Sequence, residues 1–550
     1  MPIQTKGLRH AIAKIFTLLR LDRKDISMIY FYSIIAGIVS FTLPLGIQAI
    51  IGFVMAASFS TSIIVLISLV LAGTFLNGLL QIKQLQLIEK IEQTLFVRYA
   101  FEYASRLPKL NIEKLDAYYL PELVNRFFDI SGLQKSLHKV LVDIPTAMFQ
   151  VIIGTLLLSF YHPLFIAFGF LLLIIVFVIL RFTSQRGFQT SLETSDYKFK
   201  IGAWLEEIAR SIKSFKYSKA STLHIQKIDD LTSNYLLART NHFKILKIQF
   251  WSLISFKLIT TAAMLIIGVW LLVNQQINIG QFIASDIVII LIMGSIEKLI
   301  GSMDQVYDTL TSVEKLDKIV ESEIEYSGSI SLTNDLKGIS IVFEKVNYQY
   351  DFQHQALTDF NLNLQAGQWA HVTGRSGTGK STVLRLLTGA FRNYTGTLLL
   401  NGFPLGNYNI ASLRDNSGIL LGQQDIFLGS LKENLSMGKS EISEIEILEK
   451  AQLTGLSTFI QYSEFGLDTP IDPIGKRLPT EIRHSMLLTR ALLGKSNLML
   501  MEDPFRYLSK SQIDKLVSYL KNTQATVIIA SESTDCQMYC DVVVELKTNN

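Results

Sequence analysis

The chain has 550 residues, too many for one ordinary domain, so two or more are expected. Hydrophobic residues make up 49% of it and mean hydropathy is +0.32, too high for a wholly soluble protein and too low for one embedded throughout in lipid. A net charge of +4 gives no support to a nucleic-acid partner.

In chain order, the opening "MPIQTKGLRHAIAKIFTLLRLDRKD" is basic and amphipathic, with no small-residue cleavage site before the next apolar run. It reads as a helix lying along the inner face of a membrane, with Ile12, Ile15, Phe16 and Leu19 on its apolar side, rather than as a cleaved secretory signal. Residues Ile26 to Ile82 carry no Asp, Glu, Lys or Arg, enough for two spans of about 20 residues. They break near "AASFSTS". A second charge-free reach, Ile144 to Leu180, is interrupted by "YHP" and supplies two more. Trp251 to Val273 and Ile279 to Ile296, joined by "NQQIN", complete six spans in three hairpins. The three tight turns contain no Lys or Arg, whereas Lys83–Lys139 and Arg181–Lys247 are rich in both. The long connections and both termini are therefore expected in the cytoplasm, with the spans in a bacterial cytoplasmic (inner) membrane. Segments such as "LQLIEKIEQTLFVRYAFEYASRL" read as amphipathic helix, so helices should continue well beyond the bilayer. Within the spans, Lys257 and Glu297 are expected at similar depth as a buried pair, and Asp286 about two turns into the sixth span.

After about Glu323 the composition shifts to short alternating runs and turn residues, the mark of a linker and then a soluble α/β domain. The expected division is residues 1–325 and 326–550. In "QWAHVTGRSGTGKSTVLRLL" an apolar strand leads into a glycine loop that opens a helix, the phosphate-loop pattern in its proper setting. Gly374, Arg375, Ser376, Gly377, Thr378 and Gly379, with Lys380, Ser381 and Thr382 at the helix start, form the candidate phosphate cradle. Glycines let backbone N–H groups wrap the phosphates, Lys380 reaches the β- and γ-phosphates, and the Ser381 hydroxyl is offered to Mg²⁺. Further on, the apolar run of "NLMLMEDPF" ends in Glu502 and Asp503, placed as a magnesium ligand and a base. Cys536 and Cys540 read as reduced thiols, since no further Cys or His lies near enough in sequence to complete a metal site.

Six spans with long helical extensions, followed by this loop, resemble an ABC exporter half-transporter, a six-helix all-α transmembrane domain fused to an α/β P-loop NTPase (ABC ATPase) domain. The resemblance covers nearly the whole chain. "GVWLLVNQQINIGQFIAS" and "RLPKLNIEKLDAYYLPELVNRFFDI" look like the subgroup of type I secretion and bacteriocin export, although the peptidase-like N-terminal domain of many such proteins is not expected here. The resemblance implies ATP and Mg²⁺ as cofactors, a homodimer or heterodimer with another half-transporter, and membrane-fusion and outer-membrane secretion components as further partners. It also places Tyr350, in "VNYQYDFQ", against adenine.

Several positions depart from the family pattern. Members end the apolar strand with Asp then Glu, for magnesium and for the attacking water. Here the order is Glu502 then Asp503, leaving Asp503 one methylene short as a base. The signature L-S-G-G-Q is replaced by "LPTEI", Leu478 to Ile482, where Pro479 lacks the N–H and Glu481 adds a negative charge. The loop glutamine falls on Gly422, beside Gln423; the D-loop aspartate on Ser509; the histidine after the last strand on Ser531. ATP binding is therefore expected and rapid hydrolysis is not. Two readings follow: a half-exporter with slow or partner-dependent turnover, or an ATP-sensing membrane pseudo-ATPase that regulates or scaffolds a secretion complex.

Overall fold

The computed structural model describes residues 8–55, 61–115, 120–219, 221–333, 337–351, 354–422, 424–472, 475 and 477–547. The chain divides into two compact units: residues 1–109 with 117–322, and residues 110–116 with 323–550.

The first unit is helical. Its elements are α1 (Leu8–Leu19), α2 (Arg23–Val39), α3 (Thr42–Met55) and α4 (Thr61–Arg106), then, beyond the short α5 (Ile112–Leu115), α6 (Leu120–Asn125), α7 (Asp129–His138) and α8 (Ile144–Ser159). They continue with α9 (Leu164–Arg210), α10 (Ile212–Tyr217), α11 (Leu223–Val273), α12 (Ile279–Gly301) and α13 (Met303–Val320). Among the described residues, six helical segments are long and apolar enough to cross a membrane. Helices α4, α9 and α11 run for 46, 47 and 51 residues, roughly 70–75 Å at 1.5 Å per residue. That is more than twice the ~30 Å of a hydrocarbon core, so each carries a polar half beyond its apolar one. On α1, Ile12 and Phe16 point outward while Leu19 packs inward with Ala11.

Two interior glutamines in this unit are paired, as burial favours. Gln249 donates to Thr183 Oγ1 and Tyr307 Oη, both at 2.8 Å, and Gln84 donates to Ser33 Oγ at 2.9 Å. The predicted Lys257–Glu297 contact forms at 2.5 Å, but the side chains are 39% and 53% exposed, so the expectation of burial is corrected. Both residues sit on outward faces of α11 and α12 rather than among the core side chains.

Among the described residues the second unit contains two larger sheets, beside a two-stranded antiparallel pair of β7 (Gly429–Ser430) and β8 (Pro470–Ile471). An antiparallel sheet orders β2 (His354–Leu364), β1 (Ile341–Asp351), β4 (Thr395–Leu400) and β5 (Phe403–Pro404). The other is parallel, in the order β11 (Val542–Leu546), β3 (Trp369–Gly374), β10 (Thr526–Ala530), β9 (Leu498–Glu502) and β6 (Ser417–Leu420). Its central strands are apolar on both faces, "LMLM" and "TVIIA", because the sheet is covered on both sides. Residues 110–116 belong to this unit. Leu110 bridges Ile324, and the Glu113 carboxylate accepts from Tyr348 Oη at 3.0 Å and from the backbone N–H groups of Arg392 and Asn393 at 3.2 and 3.3 Å.

Candidate nucleotide site

In an open parallel sheet, ligands bind beyond the carboxyl ends of the strands. Register decides which residues meet there. Ala530 pairs with both Val372 and Glu502, and Leu420 with Met501. The ends of β3, β10, β9 and β6 therefore bring the glycine loop, Ser531, Glu502 and Gly422 to one edge.

The loop leaves β3 at Gly374 and enters α14 (Lys380–Leu387) at Gly379, whose φ of +94° lies in the left-handed region. A Cβ on Gly379 would stand 2.2 Å from the Ala356 carbonyl oxygen, so only glycine fits. One on Gly377, φ +82°, would project into open space. The loop is thus backbone-lined and open on the side where an anion would sit, and α14 directs its first N–H groups there. These residues fit a nucleotide's phosphates.

Lys380 Nζ donates to the carbonyls of Gly374 and Arg375 at 2.7 and 2.8 Å, and it pairs with Glu532 at 3.3 Å. Ser381 Oγ donates to Glu502 Oε1 at 2.5 Å, and the Gly422 N–H donates to Glu502 Oε2 at 2.8 Å. The hydroxyl and the first carboxylate are brought together, 121 residues apart in sequence.

Asp503 differs. Its backbone has φ +46°, and its N–H donates to the Ala530 carbonyl at 2.9 Å. Its own carbonyl lies 3.1 Å from His484 Nε2. Burial lowers the His484 pKa below its ordinary value, and the ring packs edge-on against Tyr507. Tyr350, at 40% exposure, stands edge-on to Tyr348 and Phe391. Its hydroxyl lies 3.1 Å from Thr382 Oγ1 and accepts from Arg385 Nη1 at 3.1 Å.

Positions that depart from the family pattern carry structural contacts. Ser509 caps α20 (Lys510–Thr523), its hydroxyl accepting from Gln512 N and its N–H donating to Gln512 Oε1. Ser531 is buried; its carbonyl lies 3.3 Å from His371 Nε2, and its hydroxyl accepts from the Ser533 N–H at 3.1 Å. Gly422, to which sequence reasoning assigns no role, contributes the N–H on Glu502. Gln423 lies outside the described residues. Helix α19 (Thr480–Leu492) starts after Pro479 with no side-chain cap, and Pro479, Thr480 and Glu481 are exposed at its first turn. Burial pushes the Cys536 and Cys540 thiols up to about 11 and about 12, which removes thiolate character.

Sequence reasoning misses Glu532 and Arg385. Neither belongs to a motif, and each reaches the site only through the fold.

Comparison with known proteins gives consistent matches. Residues 26–296 match the family model for the ABC transporter transmembrane region, and residues 357–506 match the model for the ABC transporter. A probable ABC transporter ATP-binding/permease protein of Haemophilus influenzae is 28% identical over 287 residues, covering 52% of each chain. The lactococcin-A transport/processing ATP-binding protein of Lactococcus lactis subsp. lactis is 23% identical over 464 residues, 83% of this chain and 64% of that one. This chain thus spans about half the length of the first relative and under two thirds of the second. Among solved structures, a bacterial Atm1-family ABC exporter with ATP bound superposes with a TM-score of 0.85 at 16% identity, over 96% of this chain and 93% of that one. At that identity the likeness is one of fold.

Proposed function

We propose, for a chain that belongs to the ABC transporter family with its transmembrane and nucleotide-binding domains in one polypeptide, that it binds Mg-ATP and works as a half-exporter with slow or partner-dependent hydrolysis. The observation that carries this reading is the meeting of Lys380, Ser381 and Glu502 at one sheet edge, in a chain that also has six spanning helices. In this reading the loop N–H groups and Lys380 hold the phosphates, Ser381 and Glu502 hold the magnesium ion, and Tyr350 stacks on adenine after its hydroxyl leaves Arg385. Bound Mg-ATP supplies the free energy for the transport cycle. Asp503 is the candidate base. Its short side chain and left-handed backbone make it a poor one, and the α19 start offers a partner subunit a proline and a carboxylate in place of N–H donors. The chain acts as a homodimer or a heterodimer in a bacterial inner membrane, with the nucleotide-binding unit in the cytoplasm. The secretion-like segments, together with the printed role of the Lactococcus relative, tilt the cargo toward polypeptide.

A second reading has a specific observation behind it. Ser509 and Ser531, at two positions where the family carries chemistry, are committed to capping and packing. That pattern favours an ATP-sensing pseudo-ATPase that regulates or scaffolds a secretion complex. Mg-ATP binding and turnover by the protein in lipid, beside Lys380→Ala, test both readings. Turnover abolished by the substitution supports the exporter; binding without turnover supports the sensor, unless turnover appears on adding a second half-transporter, which supports the partner-dependent exporter. Loss of one charged phosphate contact should weaken binding by about 2 kcal/mol, or more than tenfold. Unchanged affinity in Lys380→Ala would remove the basis of both readings.

A further inference from the structure

A groove of about 710 Å³ between α9 and α11, remote in sequence from the nucleotide residues, has an ordered polarity. Its α11 wall carries Lys244, Lys247, Trp251, Ser255 and Ile259, which recur at three- to four-residue intervals and so line one stripe of the helix. The stripe begins with two cations, reaches a tryptophan that is 61% exposed one turn later, and continues into the apolar part of α11. Ile175 and Ile179 of α9, with Ile248 and Phe256 of α11, complete the apolar part of the lining.

Length and charge together suggest the occupant. From Lys244 to Ile259 is 15 steps, roughly 22 Å of helix, which matches one leaflet of a bilayer about 40–45 Å thick. No Asp or Glu lines the groove among the described residues. Lys244 Nζ donates to Asn241 Oδ1 at 3.3 Å and, like Lys247, has no carboxylate partner among the described residues. A tryptophan between basic residues and an apolar run sits where headgroups meet acyl chains. An amphiphile with an anionic head and an apolar tail satisfies this order. A second copy of the chain would have to bring carboxylates to the lysines.

We propose that the groove is a binding site for one anionic phospholipid of the cytoplasmic leaflet. Lys244 and Lys247 hold its phosphate, Trp251 marks the glycerol level, and an acyl chain lies along Ile175, Ile179 and Phe256. This goes beyond the nucleotide reading and does not depend on it.

The test is tryptophan quenching in the full-length protein, reconstituted in bilayers doped with brominated-chain phosphatidylglycerol or brominated-chain phosphatidylcholine. The Trp251 component is obtained as the difference from Trp251→Phe. Phosphatidylglycerol should quench that component at about a tenfold lower mole fraction, from two lysines beside one phosphate. The preference should vanish in Lys244→Gln/Lys247→Gln with the thermal midpoint unchanged. Equal quenching by the two lipids would overturn the proposal by showing only bulk lipid. A preference that survives the lysine replacements would overturn the assignment of the phosphate. Resistance to both lipids, with Ser255→Cys crosslinking two chains, would put a second copy in the groove and also overturn it.

Discussion

The Ser381 hydroxyl donates to the Glu502 carboxylate across 2.5 Å, and that carboxylate also accepts from the Gly422 N–H. Glu502 is thereby fixed at the mouth of the phosphate loop, in the place from which a magnesium ion bound to Ser381 would be approached. A Cβ at residue 422 would only touch Glu502 Oε2, at 3.4 Å, so what this position contributes is its backbone N–H rather than a missing side chain. We expect Glu502→Gln, which keeps the shape but removes the charge, to reduce the magnesium-dependent part of ATP affinity about tenfold. The check is nucleotide binding with and without chelator. An undiminished magnesium effect would release Glu502 from this role.

Glu532 competes for the lysine that a phosphate needs. Its carboxylate is 59% exposed, so the ion pair with Lys380 is weak. Glu532→Gln should tighten ATP binding by about two- to threefold, measured by titration with a fluorescent nucleotide at low and high salt. The gain should shrink at high salt as the pair is screened. Weaker binding in the variant would mean that Glu532 orients the lysine instead.

Reversing the two acids tests whether their order limits turnover in the proposed half-exporter. Glu502→Asp/Asp503→Glu alone should leave turnover within about threefold of the parent, since the start of α19 still lacks the Pro479 N–H and carries the Glu481 charge. Adding Pro479→Ser, Thr480→Gly and Glu481→Gly should raise it by about a hundredfold. Steady-state phosphate release in lipid reads both. A full gain from the two-residue exchange would place the whole defect in the acids.

Burial lowers the His484 and His371 pKa values below the ordinary value of about 6.5. The unfolded chain then binds more protons than the folded one as pH falls below about 6.5. Stability from this source is complete above that pH and is lost as pH drops toward the folded pKa values. His484→Gln keeps a donor for the Asp503 carbonyl and removes one titration. Its thermal midpoint should match the parent near pH 7.5 and fall less steeply between pH 6.5 and 5. Parallel curves would show that His484 does not contribute to the slope.

The membrane unit was legible because charge-free runs and positive loops are one-dimensional signals. The phosphate loop was legible because its strand, glycines and helix are contiguous in sequence. Pairings between distant segments were not legible. The Lys380–Glu532 contact joins residues 152 apart, and Arg385 reaches Tyr350 from another element. Outward placement of Lys257 and Glu297 was missed because depth along two helices says nothing about their rotation. Ser509 is a different case. A serine followed three residues later by Gln512 is a capping signature visible in sequence, whereas the family pattern at this position points only to a missing aspartate.

Glu113 accepts from the Tyr348 hydroxyl and from the N–H groups of Arg392 and Asn393, the last of them 280 residues further along. At ordinary translation rates that interval is on the order of half a minute. Residues 110–116 leave the ribosome long before the surface they complete exists, so the order of synthesis delays closure of the second unit until a peptide made early is recruited back. An expression fragment cut at residue 323 would lack that peptide. Its Tyr348 hydroxyl and two backbone donors would have lost their carboxylate, which makes such a fragment a poor stand-in for the intact domain in nucleotide-binding assays.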